Sequence, residues 1–197
     1  MTSEEIAMVK QKADLINCIS MDYHLSHAVF ACNKITEAEF KDNYLKNKKD
    51  EYKERLQAAE NAGNIEEIAR INKVIEQLKA PYRIYIEYIK RGKARAIFLV
   101  PSNQFVITLP EGLLAQSRDA NGAYNETGVK ELRRTTAHEL GHIALHIKDL
   151  LKNPSTQGTL DMKGKQEEEA NLFSDELLAL RYKRNKELFN TGKWKAF

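Results

Sequence analysis

Five residues, His138-Glu139-Leu140-Gly141-His142, have the types and the spacing for metal-assisted hydrolysis. On a helix, residues four apart stack on one face with their side chains leaning the same way. Two imidazoles so placed can grip one ion at about 2.0–2.1 Å each. Glu139 is rotated by about 100° from His138 at 3.6 residues per turn, so it borders the ion and need not ligate it. From there it can hold a metal-activated water and take its proton. Gly141 lets the backbone of another element come close to the helix.

That helix is legible in its own right. From Val129 to about Leu150 there is no proline, and Leu132, Thr136, Leu140, Ile143 and Ile147 recur at helical spacing. The histidines occupy the side away from the Leu140 stripe. The pentapeptide is the HExxH arrangement of zinc peptidases, and a catalytic zinc needs a third protein ligand besides. His146 lies one turn of about 5.4 Å beyond His142 and some 12 Å along the axis from His138. Three histidines therefore cannot share one ion on a straight helix. His24 and His27 sit in an unrelated segment and read as ordinary packing or surface residues.

The best source of a third ligand is the acidic opening of the last strong helix, Gln166-Glu167-Glu168-Glu169-Ala170-Asn171-Leu172-Phe173-Ser174. Ala170, Phe173 and Leu177 form its apolar face. If that face packs beside the histidine helix, one of the three glutamates points at the metal. An acidic first turn also complements the helix dipole, and the two accounts can hold for different members of the triplet.

Together the segments Arg133-Arg134-Thr135-Thr136-Ala137-His138-Glu139-Leu140-Gly141-His142-Ile143-Ala144-Leu145-His146 and Glu167 to Leu178 resemble the ImmA/IrrE family of metallopeptidases. The shared pattern is an arginine-rich lead, Ala-His-Glu-x-Gly-His-x-x-Leu-His on one helix, then Glu-x-x-Ala-Asn-x-Phe-Ala on another. The resemblance spans roughly residues 95 to 180. It implies one Zn²⁺ per chain held by His138, His142 and Glu167, with Glu139 as catalytic acid and base. Asn171, one turn on from Glu167, is placed to support the site. The implied activity is that of a selective endopeptidase cleaving a protein, typically a helix-turn-helix repressor of a mobile element or of a stress response. Ser174 stands where the family usually has alanine. Ala179-Leu180-Arg181-Tyr182 continues the helix where a Met-Pro or similar end is expected.

The elements that must position these groups follow from patterning. Residues 3 to 32 read as helical, with Ile6, Val9, Ala13, Ile16 and Ile19 on one face. Residues 37 to 80 read as an antiparallel helical hairpin that reverses at Asn61-Ala62-Gly63-Asn64 and stops at Pro81. Tyr82 to Lys90 alternates as a strand, although helix is an equal reading there. Ala94 to Val100 and Phe105 to Leu109 are strand-like runs. Glu111 to Ser117 reads as one or two helical turns, and Arg118 to Gly128 as a loop. The expected fold is α+β: a zincin-like helical core packed on a small, mostly antiparallel sheet, with a helical-hairpin insertion. Residues 1–197 are expected to form a single metallopeptidase domain, with the hairpin at 37–80 and the catalytic core at 81–180.

Bulk properties restrict the partners. A formal charge of +3 is too balanced to argue for direct contact with nucleic acid or an anionic membrane. The acidic start Met1-Thr2-Ser3-Glu4-Glu5 is unlike a secretory signal, and Ile97-Phe98-Leu99-Val100 is too short to span a bilayer. Cys18 and Cys32 read as reduced thiols, which suits the cytoplasm. No helix-turn-helix DNA-binding domain is evident. Tyr88, Tyr124 and Arg134 are candidates to stabilise an oxyanion. Two other classes compete with the peptidase: a catalytically inactive zinc core that docks a repressor or toxin partner, and a metal-free helical protein with a chance motif. The peptidase reading predicts about one zinc per chain in purified protein, measured by elemental analysis, and its loss on His142→Ala.

Overall fold

A computed structural model describes residues 1–19, 25–99, 102–152 and 164–190. Helix α1 (Ser3–Ile19) opens on a reciprocal capping box. The Glu5 backbone N–H donates to Thr2 Oγ1 at 3.2 Å, and the Thr2 N–H donates to the Glu5 carboxylate at 2.8 Å. Its buried face is Val9, Ala13 and Ile16, three of the five residues expected there; Ile6 and Ile19 are exposed. The helical stretch expected over 3–32 is helical in α1 and again in α2 (Leu25–Glu39), and residues 20–24 between them lie outside the described residues. His24 lies outside the described residues.

Helix α2 runs without a break through a π-helical segment, Phe40–Leu45, into α3 (Lys46–Asn61). The first arm of the expected hairpin is thus a continuation of α2. In the widened turn, the Phe40 ring stacks on Tyr82 at 4.7 Å and Tyr44 meets Phe98 edge-on at 5.1 Å. These contacts anchor the base of the hairpin to the sheet. At its tip Gly63 takes a φ of 66°, a left-handed conformation that glycine adopts without a Cβ clash. Asn64 then caps α4 (Ile65–Gln77) by accepting the Glu67 N–H at 3.1 Å. Ala59 and Ile71 are buried between the two arms.

Three strands follow: β1 (Arg83–Ile89), β2 (Arg95–Leu99) and β3 (Gln104–Pro110). Their order is β1-β3-β2. β3 pairs parallel with β1, from Arg83 opposite Gln104, and antiparallel with β2, with Ala96 opposite Ile107. The sheet is therefore mixed, which corrects the expectation of a mostly antiparallel one. The cause lies in β3, whose residues Phe105 to Leu109 are all buried. A run that apolar is best covered as the central strand, and inserting it between β1 and β2 makes its pairing with β1 parallel. The β2–β3 connection is fastened by Asn103, at a φ of 55°. Its side-chain amide donates to the Leu78 and Ala80 carbonyls, both at 3.1 Å.

A short helix, α5 (Glu111–Gln116), leads to the two long ones, α6 (Glu126–Lys152) and α7 (Lys165–Asn190). One hydrophobic cluster joins Val9 and Ile16 of α1, Phe98 and Phe105 of the sheet, Leu140 and Ile143 of α6, and Phe173 and Leu177 of α7. The architecture is α+β. Among the described residues no helix is long and apolar enough to cross a membrane.

The start of α6 is set against the end of α5 without room to spare. A Cβ on Gly128 would lie 1.9 Å from the Gln116 carbonyl oxygen. Alanine is the better helix former by about 1 kcal/mol, yet here the added methyl meets backbone that cannot swing aside. Gly128→Ala is expected to lower the melting temperature by roughly 5–10 °C, since overpacking costs about 1–3 kcal/mol and each kcal/mol is worth about 2–4 °C at this size. A calorimetric scan showing an unchanged or raised transition would contradict this packing.

Candidate metal centre

The site depends on how closely α7 lies against α6. At Gly141 a Cβ would come within 2.9 Å of Phe173 Cδ1 and 3.3 Å of both Ala170 Cα and the Ala170 carbonyl oxygen. Only a glycine leaves the neighbouring backbone this near. Phe173 and Leu177 are fully buried at the same contact, and Ser174 Oγ donates across it to the Arg134 carbonyl at 3.0 Å. The serine that replaces the expected alanine thus has a partner on α6.

This packing carries Glu167, in the first turn of α7, to the two histidines. His138 Nε2 and His142 Nε2 are 3.0 Å apart. Glu167 Oε2 is 3.2 Å from the first and its Oε1 is 3.3 Å from the second. His138, His142 and Glu167 form a cluster able to hold a metal ion. Tetrahedral ligands at the usual zinc distances sit about 3.3 Å from one another, so the spacing fits, and two imidazoles with one carboxylate are a common zinc donor set. Of the acidic triplet, Glu168 is exposed, while Glu169 is buried and turned toward His146. His138 Nδ1 lies 3.1 Å from Asn171 Oδ1. A proton on Nδ1 donated to that oxygen leaves the Nε2 lone pair free to face an ion.

The electrostatics agree with a site made for a cation. Burial, aided by His138 and His146, drives the His142 pKa down to about 3, so its ring is neutral over the physiological range. Burial first, and then the Glu167 carboxylate, push Glu139 up to about 8. The Ala96 backbone N–H, which hydrogen-bonds Glu139, and the Arg95 charge work in the opposite direction without prevailing. Ala96 and Arg95 belong to β2, which among the described residues pairs with no strand but β3, so Glu139 stands between the cluster and the outer edge of the sheet. Sequence patterning did not reveal this contact, because strand order was needed to know that β2 is an edge.

The two tyrosine candidates are placed elsewhere. Tyr88 and Tyr124 line a cavity of about 290 Å³ with Leu132, Arg133 and Thr136. At about 100° per residue, Thr136 is some 200° around α6 from His138, so that cavity opens on another face. Arg134 is engaged with Asp175 at 3.5 Å. His146 does not join the cluster, as the helix rise requires.

Comparison with known families converges on the same two helices. Residues 125–195 match the family model described as the IrrE N-terminal-like domain, peptidase family M78, which bears out the ImmA/IrrE resemblance. No curated protein and no solved structure matches the chain. The match and the His/Glu cluster together indicate a metallopeptidase-type function.

The Glu139 environment has a consequence for metal-free protein. Its folded pKa of about 8 lies above the ordinary value of 4.5, so between these limits the folded state keeps a proton that the unfolded chain has released. Stability attributable to this group is therefore present below pH 4.5 and is lost as the pH rises through 8. In excess chelator, Glu139→Gln is expected to melt above the wild-type protein at pH 8 by at least about 3 °C. The gap should close toward pH 5. His142 titrates in both proteins and cancels from the difference. Equal melting temperatures at pH 8 would mean that Glu139 is not held in the buried setting described.

Proposed function

We propose that the protein is a zinc-dependent endopeptidase with a zincin-like core, cutting a peptide bond in a specific protein substrate. The observation that carries this reading is the convergence of His138, His142 and Glu167 within 3.3 Å of one another, with Glu139 one residue aside. His138, His142 and Glu167 are the proposed ligands, and Asn171 fixes the tautomer of His138. When bound, zinc supplies a Lewis acid that activates water and polarises the scissile carbonyl.

The protein's own groups supply the rest. Glu139 takes the proton of the attacking water and passes it to the leaving amine, which completes hydrolysis without net proton change. A carboxyl raised toward neutrality is suited to both halves of that exchange, and a nearby cation shifts it toward the ionised, basic form. The free edge of β2 offers a place for substrate. In an antiparallel strand alternate residues direct their N–H and C=O to opposite edges, so Phe98 points its backbone the same way as Ala96. An extended segment laid along this edge pairs with it and passes beside Glu139. That suits an enzyme cutting within a chain.

The resemblance to ImmA/IrrE peptidases extends the proposal to the substrate: a helix-turn-helix repressor of a mobile element or stress response, met in the cytoplasm. The test incubates the protein with such a repressor encoded nearby and follows the cleavage products. Glu139→Gln is expected to retain zinc while losing cleavage by about 10²-fold or more. If Glu139→Gln protein keeps the full biological effect, the zinc core acts by docking its partner and the peptidase reading is wrong.

A further inference from the structure

Glu169, the last acid of the α7 triplet, faces away from the cluster. Its carboxylate is buried, 3.5 Å from His146 Nε2 and 3.9 Å from Lys165 Nζ. His146 is buried as well, and its ring also hydrogen-bonds the Gln166 backbone. The Gln166 side-chain amide in turn donates to Asp149 Oδ2 at 2.9 Å. Residues 146 and 149 of α6 therefore both hold Gln166, the residue before Glu167, while His146 Nε2 faces Glu169 without a hydrogen bond among the described residues. At His146 the backbone leaves the helical region, with φ −119° and ψ 23°, the one such residue inside α6. Its ring lies tilted against that of His142, with centroids 5.7 Å apart.

A carboxylate ligand in the first turn of a helix is poorly fixed by that helix alone. The first four N–H groups there have no intrahelical acceptor, and the turn frays unless something outside holds it. Fixing such a ligand in advance removes an ordering cost from metal binding. We propose that His146 is a positioning residue, which fastens the opening turn of α7 through the Gln166 backbone and so keeps Glu167 at the ion. This rests on the zinc site proposed above and assigns His146 no contact with metal or substrate.

The decisive measurement is zinc affinity of the full chain, by competition with a chromogenic chelator, in a double-mutant cycle with Glu167→Ala. His146→Ala is expected to weaken zinc binding about 10–100-fold in the wild-type background. In the Glu167→Ala background it should change binding by less than about threefold, because a residue that works through Glu167 has nothing left to position. His146→Leu, which keeps much of the volume but no ring nitrogen, should repeat the selective loss, and it carries the test if His146→Ala fails to fold. Equal losses in both backgrounds, or none in either, would overturn the inference while leaving the zinc site standing. A wild-type chain that binds no zinc would overturn both.

Discussion

The approach of α7 to α6 at Gly141 is the constraint on which the candidate site depends. Both histidines belong to one helix, and their spacing makes them neighbours whatever the rest of the chain does. The third donor has no such guarantee. It comes from a helix that starts 23 residues after His142 and 13 after the end of α6, at Lys165. Its place is decided by Ala170 and Phe173 settling over a position with no side chain. A Cβ at residue 141 would have to displace the Phe173 ring and press on the Ala170 backbone, moving Glu167 outward by leverage from one turn away.

This explains which parts were readable beforehand. The two histidines, the glutamate between them and the apolar stripe of α6 follow from local periodicity, which survives any tertiary arrangement. That Glu167 rather than Glu168 or Glu169 meets the histidines is a question of helix rotation, and the apolar face Ala170, Phe173 and Leu177 narrows it without deciding it. The family resemblance chose Glu167, and the structure places that residue in the cluster. The sheet was harder. Strand lengths were visible, but β3 entering between β1 and β2 is a long-range pairing preference, to which alternation is blind.

His146 shows the limit from another side. Helix geometry ruled it out as a ligand, and it lies outside the group of His138, His142 and Glu167. It departs from helical φ and ψ, and its approach to Glu169 depends on α7 being present. No pattern within residues 129–150 encodes either one. The edge contact between Ala96 and Glu139 has the same character, since it joins residues 43 apart whose proximity only the strand order creates.

Several polar groups of the site are costly to bury. Two imidazole nitrogens face each other at 3.0 Å, a carboxylate sits against both, and a second carboxyl is raised to about 8 by its burial first and by Glu167 second. His142 Nδ1 is buried without a hydrogen-bond partner among the described residues, a further unfavourable burial. Such groups persist only because the surrounding core overrides them. Leu140, Ile143, Phe173 and Leu177 are fully buried immediately beneath, and each is worth about 1.5–3 kcal/mol when removed from water. Stability stored in the apolar side of the α6–α7 contact thus maintains a polar side that is unfavourable until a cation arrives. A helix pair with both faces satisfied would be more stable and would have no reason to bind one.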